Sequence, residues 1–135
     1  MKRKCIKYPI PHEFIKETGV VNNDVSVFVD VLNLNEIAEV ISKRHKKFKM
    51  ILYYVLSGKY KNDLYSFEKI SEKAYNITAM KFKEGNNERI YCKEYFVKGK
   101  KVVMIISYLK KSQKITKKLK SLIENISDYE YEFPG

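Results

Sequence analysis

The chain has 135 residues, and its 24 Lys and 3 Arg against 16 Asp and Glu give a formal net charge of +11. That length suits one compact domain, and a 44% hydrophobic share is enough for a real core, so disorder is not expected. Its longest apolar run, Met50–Leu56, falls far short of the ~20 residues of a membrane-spanning helix.

In chain order, residues 1–24 are interrupted by Pro9, Pro11, Gly19 and Asn22-Asn23 and read as an extension of loops with one short helix at 11–17. Residues 25–135 read as a single domain. Val25–Leu32 alternates β-branched residues and predicts a strand. Asn33 and Asn35 are N-cap residues for one long helix, with Glu36 and Glu39 in its first turn and Gly58 as its stop. Ile37, Ile41, Phe48, Ile51 and Val55 recur at helical spacing, while Lys43, Lys46, Lys47 and Lys49 occupy the other face. A helical turn is expected at 66–73. Three strands follow at 75–83, 88–97 and 101–109, joined by turns at Glu84–Asn87 and Lys98–Lys100. The last is nearly all apolar, as a central strand covered on both faces would be. Thr116 then caps a helix whose stripe is Leu119, Leu122, Ile123 and Ile126. The order predicts an α+β domain with helices on one face of a small antiparallel sheet.

Two cysteines, Cys5 and Cys92, and two histidines, His12 and His45, lie too far apart for a ligand-spaced zinc site. They fit a reduced cytoplasmic protein. No metal or other cofactor is expected, the five scattered glycines forming no phosphate-binding loop; separately, no secretory signal is read after Met1-Lys-Arg-Lys.

The positive charge is clustered. Residues 43–61 hold seven basic and no acidic side chains, and residues 81–120 hold thirteen basic and three acidic, while residues 121–135 carry four acids and no base. Such a footprint suits a polyanion, with nucleic acid ahead of a membrane surface. A solvated lysine face is the alternative. Lys81 and Lys83 lie two apart on one strand and so share a face. Arg89 opens the next strand, Tyr91 and Lys93 continue its side, and the central strand ends at Tyr108 and delivers Lys110, Lys111, Gln113 and Lys114 to its rim. Cations from three strands can clamp a phosphodiester, with tyrosines to stack bases.

Asn87-Glu88-Arg89-Ile90-Tyr91 on the middle strand, the apolar strand after it, and Leu109-Lys110-Lys111-Ser112-Gln113-Lys114-Ile115-Thr116 leading into a helix together resemble the RelE/ParE superfamily of toxins, on its HigB-like branch. The likeness is best over residues 75–117. It implies a RelE-like fold: a strand, helices, a three-stranded meander and a short C-terminal helix. It also implies the toxin of a type II toxin–antitoxin system, a metal-independent, ribosome-dependent messenger-RNA endoribonuclease that inhibits translation. The ribose 2′-hydroxyl would attack the adjacent phosphate and leave a 2′,3′-cyclic phosphate. The implied partners are the ribosome, mRNA and a cognate antitoxin, expected to be a helix-turn-helix protein from a neighbouring gene.

By the same resemblance Arg89 and Lys111 hold the phosphate, Lys81 and Lys83 match further catalytic basic positions, and Tyr91, Lys110, Gln113 and Lys114 bind RNA. Lys93 and Tyr108 join the RNA-binding set by their place on the strands. Where many members carry Tyr or His near the C-terminal helix, this chain offers Tyr129 and Tyr131. Two alternatives stand beside this reading: a non-catalytic RNA- or ribosome-binding module of the same fold, and a ParE-like toxin that poisons DNA gyrase.

Overall fold

A computed structural model of the chain describes residues 2–20, 24–82, 88–109 and 117–134. Seven strands form one mixed sheet in the order β3-β4-β5-β6-β2-β1-β7, and four helices cover it. The strands are β1 (Arg3–Lys7), β2 (Val25–Asp30), β3 (Tyr65–Phe67), β4 (Ile77–Phe82), β5 (Glu88–Val97), β6 (Lys100–Leu109) and β7 (Tyr131–Glu132). The helices are α1 (His12–Thr18), α2 (Leu34–Lys43), α3 (His45–Ser57) and α4 (Lys117–Asp128).

The meander β4-β5-β6 is antiparallel as expected, and its second hairpin turns tightly at Lys98-Gly99 between paired Val97 and Lys100. Both turn residues have positive φ (52° and 80°), the conformation that matches the twist of a two-residue hairpin. An all-antiparallel sheet is not what forms, however. β2 runs parallel to β6, and β1 parallel to β7. Alternation along a strand reveals its faces but not its neighbours, and β2 finds β6 only across some 75 residues of intervening chain (Val27 beside Val103).

Helices also lie on both faces rather than one. Helices α1, α2 and α3 bury Phe14, Ile37, Val40, Phe48, Ile51 and Leu52 against one face, where Val27, Met80, Ile90, Val103 and Ile105 meet them. Helix α4 buries Ile123 and Ile126 on the opposite face, against Ile77, Ala79, Met104 and Ile106. The apolar run of β6 follows from this sandwiching, since alternate residues enter two separate cores.

Three local expectations change. The long helix breaks at Arg44 (φ −113°, ψ 36°) into α2 and α3. The apolar stripe is interrupted there by Arg44-His45, and the Arg44 guanidinium is drawn 3.0 Å from Glu88 on β5. No helical turn forms at 66–73; β3 takes the start of that stretch and pairs with β4 through Tyr65, Ser66 and Phe67. Residues 1–24 contribute β1, which sits between β2 and β7, and α1, which ends on Gly19 in the left-handed conformation. Arg3–Lys7 (RKCIK) buries only Cys5 among five residues, so no alternation marked it as a strand.

The sheet edge formed by β1 and β7 is fastened from inside. Asp30, at the end of β2, is fully buried. It accepts from Arg3 Nε at 2.7 Å, from Tyr131 Oη at 2.6 Å and from the Leu32 amide at 2.8 Å. A buried carboxylate with three donors is the condition under which such a charge is tolerated. Tyr131 is thereby a structural residue, its phenol held protonated by burial and by the bond to Asp30, and Arg3 lies 4.1 Å over the Tyr129 ring.

Candidate nucleic-acid site

Strands β4 and β5 bring Lys81 opposite Arg89, and β6 adds Leu109 beside Arg89. Phe82, Glu88 and Leu109 end these strands at one end of the sheet. By alternation Lys81 and Arg89 share the face of Ile77, Ala79 and Tyr91, the face that α4 covers farther along. Two of the expected cations are therefore neighbours on one surface.

Each is held by the chain. An Arg89 guanidinium nitrogen lies 2.9 Å from Glu68 Oε1, and both side chains are partly open to water. Lys81 Nζ donates to the Asn62 carbonyl at 2.6 Å and to Ser66 Oγ at 2.8 Å. Glu68 follows β3 directly, and its amide bonds to Ile77 O at 2.9 Å, which fixes its backbone beside the start of β4. Glu68 is the residue that sequence reasoning missed. Its place depends on β3 pairing with β4 in a particular register, and the stretch around it reads from sequence as a helical turn.

The remaining expected residues disperse. Tyr91 is a core residue, 1% exposed, so its ring cannot stack on a base. Burial, with Glu68 adding and Arg89 opposing, pushes its phenol up to about 12. Lys93 shares that face but bends to the end of α4, donating to Ser127 O at 2.8 Å and Tyr129 O at 3.0 Å. There it satisfies carbonyls left open at a helix C-terminus, and burial lowers its pKa. Its role is structural.

Tyr108 goes to the other face. Strict alternation would place it with Met104 and Ile106 on the Arg89 side. A β-bulge intervenes, since Tyr91 pairs with Ser107 while the next residue, Cys92, pairs with Ile105. One extra residue in β6 reverses the parity beyond it. Tyr108 therefore packs with the α1–α3 core and donates to Glu88 Oε2 at 2.6 Å. Burial first, then Glu88, raises its phenol to about 12. Lys83, Lys110, Lys111, Gln113 and Lys114 lie outside the described residues.

The site thus comprises Arg89, Lys81, Glu68 and Ser66 on one rim. It can hold an anion on a planar fork and an ammonium, with a carboxylate beside them as proton acceptor. Among the described residues no three His, Cys, Asp or Glu side chains gather as metal ligands. Nor is any described helix long and apolar enough to cross a membrane. No family model matches the chain, and neither a curated protein nor a solved structure matches it.

Proposed function

We propose that the chain is the toxin of a type II toxin–antitoxin pair, a metal-independent endoribonuclease that cuts messenger RNA on the ribosome and works in the cytoplasm. The observation that carries this reading is the juxtaposition of Arg89 and Lys81 on neighbouring strands, with the Glu68 carboxylate on Arg89. In residues 25–128 a strand and two helices precede the meander and a helix follows it, with the short β3 inserted between, an order that lends some support to the RelE-like reading.

The chemistry follows from what each group can do. An incoming phosphate takes up the open edge of the Arg89 fork, and Lys81 adds a second positive charge. Glu68 accepts the proton of the ribose 2′-hydroxyl as that oxygen attacks the adjacent phosphorus. The bond from phosphorus to the 5′-oxygen breaks, and a lysine ammonium, Lys81 or Lys111, protonates the departing oxygen. The products are a 2′,3′-cyclic phosphate and a free 5′-hydroxyl. Arg89 acts on the charge that builds at phosphorus, so its removal lowers the rate of the chemical step.

Expression without a partner protein, with 5′ ends of messages mapped, tests this reading. Codon-positioned cuts are expected from the wild type, and Arg89→Ala should reduce cutting by about 100- to 1,000-fold. Normal growth and uncut messages with both proteins would sink it. Glu68→Gln should lose cutting while retaining RNA binding, which separates a proton acceptor from a mere tether for Arg89. The second reading, a non-catalytic RNA- or ribosome-binding module, is favoured by the ties that already occupy Arg89 and Lys81. It predicts strongly salt-dependent RNA binding with no cyclic phosphate product.

A further inference from the structure

At the end of β5 remote from Arg89, β5 outruns its neighbour. Ile77, the first residue of β4, pairs with Lys93, and one further bond, Glu94 N to Asn76 O at 3.0 Å, closes that side. Tyr95–Val97 are paired by β6 alone. A cleft of about 440 Å³ opens here, lined by Tyr60, Phe67, Tyr75, Tyr95, Phe96 and Lys101, among others. The volume is within the ~300–1,000 Å³ of ordinary ligand clefts.

Its rings are unusual in two respects. Tyr75 is 75% exposed and Phe96 71%, far more than a folded domain ordinarily leaves of a large aromatic side chain. The Tyr60 ring is also held firmly, although 42% exposed. Its hydroxyl donates to Glu94 Oε1 at 2.7 Å and accepts from Lys101 Nζ at 2.7 Å. Glu94 also takes the buried Tyr65 hydroxyl and lies 3.0 Å from Lys101. The Tyr60 side of the wall is therefore set before anything binds, which limits the entropy lost there on binding. Next to Phe96, the β5–β6 turn carries Lys98 and Lys100, both exposed, and no described carboxylate pairs with either.

We infer that this cleft is a second nucleic-acid site, in which Tyr75 and Phe96 stack unpaired bases of single-stranded RNA while Lys98 and Lys100 hold its phosphates. Exposed rings beside unpaired cations are the combination that binds single strands without reading their sequence. An apolar peptide would make use of the rings but not of the lysines. The site lies at the opposite end of β5 from Arg89 and extends the RNA reading beyond the cleavage rim. Tyr91 and Tyr108, which the sequence offered for stacking, are engaged in the cores; Tyr75 and Phe96 are the most exposed of the cleft's rings.

The test is fluorescence anisotropy with a labelled single-stranded 2′-O-methyl oligonucleotide of about 12 nucleotides, within the span of known single-strand sites. Lacking a free 2′-hydroxyl, this probe cannot be cut, so its binding is independent of catalysis. The double variant Tyr75→Ala/Phe96→Ala should bind at least about tenfold more weakly. Tyr75→Phe/Phe96→Tyr should bind as the wild type does, and a fully paired duplex should not register the loss of the rings. Lys98→Ala/Lys100→Ala should reduce the slope of log affinity against log salt by about 1.4, for two phosphates on a single strand. Thermal melting checks that these surface variants remain folded. Unchanged single-strand affinity in folded Tyr75→Ala/Phe96→Ala overturns the proposal and leaves the open β5 edge to a peptide strand. Because Arg89→Ala is read by cutting and the rings by uncut binding, either reading can fail without the other.

Discussion

Arg3 and Arg89 each hold a carboxylate at hydrogen-bond distance, 2.7 Å to Asp30 and 2.9 Å to Glu68, yet the two pairs serve opposite ends. Arg3 keeps 22% of its side chain in water, but Asp30 has no exposed surface and three donors, so the carboxylate is closed. Glu68 and Arg89 keep 16% and 27% of their side chains in water, and their pair can open toward an incoming anion. Burial, not the identity of the partners, separates a fastening from a site.

The largest effect should come from breaking the closed pair. Asp30→Ala leaves Arg3 and the Tyr131 hydroxyl without their acceptor and should cost about 3–5 kcal/mol of stability in denaturant unfolding. An unchanged midpoint would mean that water reaches the cluster. At the open pair the effect should fall on activity. Arg89→Lys keeps the charge but loses the planar fork, and cutting should drop by about tenfold or more while the melting temperature stays near that of the wild type. A matching loss of stability would make Arg89 a second fastening.

The smallest effect lies on the opposite face, at Tyr108. Its folded phenol titrates near 12, above the ordinary 10, so the folded state keeps a proton that the unfolded chain releases. Stability is therefore intact below about pH 10 and declines as pH rises from 10 to 12. Tyr108→Phe should flatten that alkaline decline and cost about 1 kcal/mol at neutral pH for the bond to Glu88. An alkaline limb identical to the wild type would assign the decline to other tyrosines.

The meander was legible because its signals are local. Alternating residues mark β4 and β5, Lys98-Gly99 marks a turn, and an unbroken apolar run marks β6. What depended on distant partners was not. β1 has one buried residue, β7 has two residues in all, and the parallel pairing of β2 with β6 leaves no trace in either strand. The site behaves likewise. Lys81 was marked by its two-residue spacing from Lys83 and Arg89 by its place at the start of the next strand and by the resemblance, whereas Glu68 required a register. The face of Tyr108 was not legible either, because a single inserted residue in β6 inverts everything after it.

The fastening at Asp30 also sets a clock. Tyr131 follows Asp30 by 101 residues, and at about 5–20 residues per second a ribosome needs roughly 5–20 s to make the chain between them. Until the end of that interval β7 is missing, so β1 lacks its edge partner and Asp30 lacks the Tyr131 hydroxyl. The sheet core must then assemble as a late event, after the meander has been made. A nascent chain of this protein would therefore spend its synthesis incomplete, with its cations already emerged and its fold still unsealed.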